Sequence, residues 1–133
     1  MKEIMNKIYK ERVTLTIQEV YEEIGGDYND VIKRLRKPEL VEKFTKKFLD
    51  DMSFNDLKKA LDDENLEDGF RAVHTLKGVC LNLSYTSIFE VANELTEMLR
   101  PGNGEPVMEE VFEALERLEE RYNVVIEGIK KLD

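Results

Sequence analysis

Residues 108–132 read MEEVFEALERLEERYNVVIEGIKKL. Met108, Val111, Leu115, Leu118, Tyr122, Val125, Ile129 and Leu132 recur there at alternating steps of three and four. On a helix this spacing draws one apolar stripe down a polar cylinder, as in a helix packed nearly antiparallel within a bundle. Upstream, Pro101-Gly102-Asn103-Gly104-Glu105-Pro106 interrupts any regular element, because glycine and proline punctuate chains strongly. Before that loop, Ile88, Val91, Leu95 and Met98 mark the inward side of another helix.

Further outward, Asn65 is an expected N-cap for a central helix running to about Leu83. Pro38 suits the first turn of a preceding helix. That helix carries Val41, Phe44, Phe48 and Met52 inward and continues through Leu57 and Leu61, with a bend expected near Ser53. A short helix over about residues 14–24 should end at Gly25-Gly26. Another, Tyr28 to Arg36, should stop before Pro38. The expected fold is all-α: an up-and-down four-helix bundle over about residues 38–131, with short N-terminal helices capping one end or flanking it. Residues 1–133 read as one domain, with 1–13 as a loosely ordered N-terminal extension.

Composition narrows the function. The 133 residues carry 29 acidic and 20 basic side chains, a net charge of −9. A nucleic-acid binder needs a basic face, so that class is disfavoured. No apolar run approaches the ~20 residues that span a bilayer. The N-terminus lacks the apolar centre of a signal peptide, so a cytoplasmic, monomeric protein without a membrane partner is expected. Cys80 is the sole cysteine and His74 the sole histidine. Internal disulfides and Cys/His metal clusters are therefore excluded, and no cofactor or metal is expected.

The central helix decides where chemistry can reside. With His74 set at zero, Val73, Leu76, Cys80 and Leu83 fall between about −100° and 180°, and Ala72 and Val79 flank them. His74 therefore points away from the core. Around it, Phe70 lies near about −40°, Leu81 about −20°, Lys77 about −60°, Gly78 about +40° and Arg71 about +60°. A lone histidine is commonly a buried hydrogen-bonded group or a bland surface residue. Here a glycine costing roughly 1 kcal/mol in a helix and apolar neighbours on a solvent face point instead to a reactive imidazole inside a docking patch. Imidazole is an effective nucleophile near neutrality, and Lys77, three residues on, can reach the oxygens of a phosphoryl group. No glycine-rich phosphate loop is present, so the phosphoryl group must come from a partner.

His74-Thr75-Leu76-Lys77-Gly78, followed by Asn82-Leu83, resembles the phosphorylation motif of histidine-containing phosphotransfer (HPt) domains. Ala72 before it, Ile24-Gly25-Gly26-Asp27 and Phe48-Leu49-Asp50-Asp51 add to a likeness covering about residues 16–130. The resemblance implies a four-helix bundle and a stoichiometric phosphocarrier, not an enzyme. His74 would be the phosphoacceptor on its outer ring nitrogen and Lys77 the phosphate-side cation. Phe70, Arg71, Gly78, Leu81 and Asn82 would form the docking surface. The implied partners are receiver domains of a hybrid histidine kinase, of a response regulator, or of both. Such a receiver brings the Mg²⁺ and acid cluster. Two positions depart from the pattern: Ser84 stands where the family usually has glycine, and Thr96 stands where many members have a Gln or Glu that orients the imidazole. The competing reading is a helical adaptor that binds through Phe70 and Leu81 without phosphotransfer.

Overall fold

The computed structural model describes residues 14–133. The expected N-terminal extension, 1–13, lies outside them. Among the described residues the chain forms seven helices: α1 Ile17–Ile24, α2 Tyr28–Leu35, α3 Pro38–Phe48, α4 Ser53–Asp62, α5 Leu66–Leu83, α6 Thr86–Leu99 and α7 Met108–Lys130. The last four make an up-and-down bundle, and α3 packs against α1, α2 and α5.

Cross-bundle pairs give the directions. Arg117 of α7 pairs with Glu94 of α6 (2.8 Å), and Arg121 pairs with Glu90 (3.0 Å). Numbers rise on one helix as they fall on the other, so the two run antiparallel. The seam between α4 and α7 is closed the same way: Phe54 stacks on Tyr122 with centroids 4.2 Å apart, and Lys58 bonds Glu119 at 2.8 Å. At Gly69 the backbone of α5 comes close enough that an added Cβ would sit 3.1 Å from Leu61 Cδ2 and 3.7 Å from Leu99 Cδ1. Gly69 thus lets α4, α5 and α6 converge.

The stripe on α7 packs as its spacing requires: Val111, Leu115, Leu118, Val125 and Ile129 are buried, while Met108, Tyr122 and Leu132 pack against the core edge. Ile88, Val91 and Leu95 of α6 are buried too. The stretch from Pro38 to Leu61 is interrupted just before Ser53, where a bend was expected, but the interruption is a full break. The stretch is two helices, and Phe44 and Met52, expected inward, are 38% and 57% exposed. Thr45 is buried in their stead, its hydroxyl accepting from Tyr85 Oη at 3.0 Å. The break arises because α3 closes on short i→i+3 bonds, after which the Asp51 carboxylate accepts from the Ser53 amide (2.9 Å) and restarts the chain as α4. An Asx turn of this kind competes with helix continuation and needs no glycine or proline.

The two N-terminal helices cap the end of the bundle where α5 gives way to α6. Thr16 and Glu19 form a reciprocal capping box, so α1 begins at Ile17 rather than near residue 14. Gly25, at φ 70°, ends it. Tyr21 Oη donates to the Leu83 carbonyl (2.7 Å), and the Asp27 amide donates to the Ser84 carbonyl (2.9 Å). Leu15 pairs with the C-terminal residues through its amide, which donates to the Lys131 carbonyl at 2.7 Å.

Candidate functional site

The α5 helix starts with the Asn65 side chain accepting from the Asp68 amide (3.0 Å). It buries Val73, Leu76, Cys80 and Leu83, the side that the helical wheel assigns to the core. Burial pushes the Cys80 thiol well above its ordinary pKa, so it stays protonated and unreactive. His74 is exposed on the opposite side. Its ring makes no hydrogen bond or ion pair with another described residue; its one ring contact is Phe70, centroids 5.8 Å apart and planes at 49°.

The structure gathers most of the expected site residues on this face. Phe70 is half-buried, Lys77 half-buried, Gly78 exposed and Leu81 54% exposed. A Cβ built on Gly78 would meet nothing within 4 Å. This glycine serves no internal packing; it leaves the helix surface open beside the histidine. Arg71 is exposed but drawn back along the helix by Glu67 (2.5 Å) and Asp68 (3.3 Å). Asn82 lies exposed near the helix end, its carbonyl accepting from Arg34 at 2.7 Å. Beside it, Leu35, Phe44, Phe48, Val79 and Leu83 line a groove of about 440 Å³ between α3 and the last turns of α5, which accounts for the exposed Phe44.

Two positions that departed from the family pattern have definite structural outcomes. Thr96 is fully buried and donates to the Ala92 carbonyl of its own helix at 2.6 Å. Ser84 takes the left-handed conformation, φ 57° and ψ 38°, which glycine adopts at no steric cost.

Glu97 of α6 and Arg100, the residue just past its end, join the site, and sequence reasoning did not single them out. The Arg100 guanidinium lies 5.4 Å from the Phe70 ring centroid, a cation–π distance. Arg100 is also bonded to Glu97 through Nη2 at 2.8 Å and Nε at 3.1 Å. The Arg100 hydrogen bonds hold the Glu97 carboxyl below its usual range, and the Lys77 charge adds to the effect. Lys77 and Arg100 thus both act on the Glu97 carboxylate. Nothing in the local pattern reveals this, since Arg100 is some thirty positions from Phe70 and looks like an ordinary charged residue before Pro101.

Among the described residues no helix is long and apolar enough to cross a membrane, and no group of three or more His, Cys, Asp or Glu is arranged to hold a metal. No curated protein and no solved structure gives a significant match to the chain. The family model described as Hpt domain matches residues 39–125, a span that takes in the whole His74 face and most of the bundle. With that match over well over half its length, on the all-helical architecture the motif implied, the chain belongs to the Hpt domain family.

Proposed function

We propose that this protein is a phosphorelay intermediate that accepts a phosphoryl group on His74 from the aspartate of one receiver domain and passes it to another. Hpt domains are phosphocarriers rather than enzymes and act in two-component phosphorelays. The finer assignment rests on one observation: the chain's sole histidine stands exposed on the central helix, beside Lys77 and the open surface at Gly78.

In the proposed step a neutral imidazole nitrogen attacks the phosphorus of the aspartyl phosphate. The new P–N bond forms as the acyl P–O bond breaks, the receiver recovers its carboxylate, and the second ring nitrogen releases its proton. Lys77 offsets charge on the phosphoryl oxygens, a charge-assisted contact worth about 1.5–3 kcal/mol when shielded from water. Mg²⁺ belongs to the receiver. Phe70, Gly78, Leu81 and Asn82 form the surface over which the receiver docks, with Arg71 at its border. In this reading the chain acts in the cytoplasm as a single monomeric domain.

The test is incubation with a phosphorylated receiver. Acid-labile label should appear on the parent protein and fall to background in His74→Gln. The variant should unfold within about 0.5 kcal/mol of the parent, because exposed substitutions of this kind are nearly neutral. Complex formation without label would support the adaptor reading, and a large loss of stability would make His74 a structural residue.

A further inference from the structure

Given the phosphoacceptor role proposed for His74, we infer that Phe70 is a positioning residue that holds the imidazole through ring contact, and that Arg100 holds Phe70 in turn. A nucleophile on an exposed helix face needs its orientation limited, because in-line attack tolerates little misplacement. Hydrogen bonding does not limit it here. His74 has no hydrogen-bond partner among the described residues, and the Thr96 hydroxyl is buried and committed to the Ala92 carbonyl.

Ring contact supplies the constraint. Side chains on a helix lean toward its N-terminus, so the ring of His74 lies over the turn that Phe70 occupies four residues earlier. Their centroid separation of 5.8 Å and tilt of 49° fall within the range of favourable aromatic pairs. Phe70 is itself anchored twice. One edge packs against the core, and the ring carries the Arg100 guanidinium at 5.4 Å. Glu97 fixes that guanidinium with bonds from both Nε and Nη2. Order is therefore passed from α6 to the imidazole through Glu97, Arg100 and Phe70, without a polar group bonded to His74.

Three variants separate positioning from packing. Phe70→Leu keeps apolar bulk but removes the ring, Phe70→Tyr restores the ring, and Arg100→Gln leaves Phe70 in place but removes the cation. His74 is the only histidine, so its ring protons are unambiguous in NMR spectra. Labelling with phosphoramidate needs no receiver: the imidazole attacks phosphorus, the P–N bond to nitrogen breaks, and the imidazole proton leaves with ammonia as ammonium.

In the parent, ring current from Phe70 should displace the His74 ring-proton shifts. Phe70→Leu should abolish that displacement and slow phosphoramidate labelling about two- to tenfold, the range expected from losing one aromatic pair. Phe70→Tyr should restore both, and Arg100→Gln should fall between. Parental labelling by Phe70→Leu would overturn the inference and leave the phosphorelay reading intact. Failure of a folded Phe70→Tyr to rescue would also overturn it. Should Phe70→Leu not fold, Arg100→Gln carries the test: unchanged shifts and rate there refute the anchoring chain. If the parent takes no label from phosphoramidate or from a phosphorylated receiver, the acceptor role falls, and positioning with it, whatever the NMR shifts show.

Discussion

A serine at φ 57° occupies a conformation that costs an L-residue roughly 1–2 kcal/mol. Ser84 nevertheless closes α5 with two crossed bonds, from the Tyr85 amide to the Cys80 carbonyl (2.9 Å) and from its own amide to the Leu81 carbonyl (3.2 Å), a Schellman arrangement. Its hydroxyl offsets the strain by donating to Asp30 at 2.6 Å and accepting from Arg34 at 3.2 Å. Those contacts keep the Asp30 carboxyl below its usual range, the Ser84 bond first and Arg34 second. Two substitutions should therefore diverge. Ser84→Ala keeps the strained backbone and loses the hydroxyl, so it should destabilise by about 1–2 kcal/mol. Ser84→Gly loses the same bonds but relieves the strain, so it should lie within about 1 kcal/mol of the parent. Denaturant unfolding of both proteins measures the difference, and an alanine variant as stable as the glycine variant would contradict this account. Sequence alone exposed Ser84 as a departure from the family pattern. It did not expose the remedy, because Asp30 and Arg34 lie about fifty positions upstream.

At the level of elements, α5 was the most legible part of the chain. Its cap at Asn65, its buried side and its exposed histidine all follow from phase and from a good N-cap residue. The α3–α4 junction was half legible: a bend near Ser53 was expected, but a full break was not, because Phe44, Phe48 and Met52 keep helical spacing straight through it and the turn is made by short i→i+3 bonds and the Asp51–Ser53 bond. Periodicity reports continuity of one face, whereas a local side-chain bond can end a helix without disturbing that spacing. Gly78 offers a prediction specific to α5. A side chain there meets nothing within 4 Å, so Gly78→Gln should raise stability by about 0.5–1 kcal/mol, since glycine is the poorer helix former. In the proposed relay the added bulk blocks receiver approach, and receiver-dependent labelling should fall by about a hundredfold. Phosphoramidate labelling should persist. A parallel fall in both would mean that Gly78 shapes the imidazole's own surroundings, and the docking face would have to be placed elsewhere.

Among the described residues, contacts join the first helix to the last. Tyr21 of α1 meets Tyr28 and Tyr85 (centroids 5.7 and 5.5 Å), Tyr85 meets Phe48 (5.1 Å), and Phe48 reaches Tyr122 (6.0 Å). This aromatic path links α1 to α7 through the bundle's capped end. The Gly25-Gly26 stop marked the end of α1 in the sequence but not its seat, because the seat is made by Gly128, more than a hundred positions away. A Cβ at Gly128 would collide with Ile24 Cγ2. In an open helix, glycine to alanine should stabilise by about 0.5–1 kcal/mol. Here overlap with a fully packed isoleucine opposes that gain, and overpacking typically costs about 1–3 kcal/mol. Gly128→Ala should accordingly destabilise by about 1–2 kcal/mol in urea unfolding. Ile24→Ala alone opens a cavity and should cost about 2–5 kcal/mol. The two changes remove each other's cause, so the double variant should be more stable than the sum of the single effects by at least about 1 kcal/mol. Strict additivity, or a stabilised Gly128→Ala, would show that α1 does not rest on α7 through this contact.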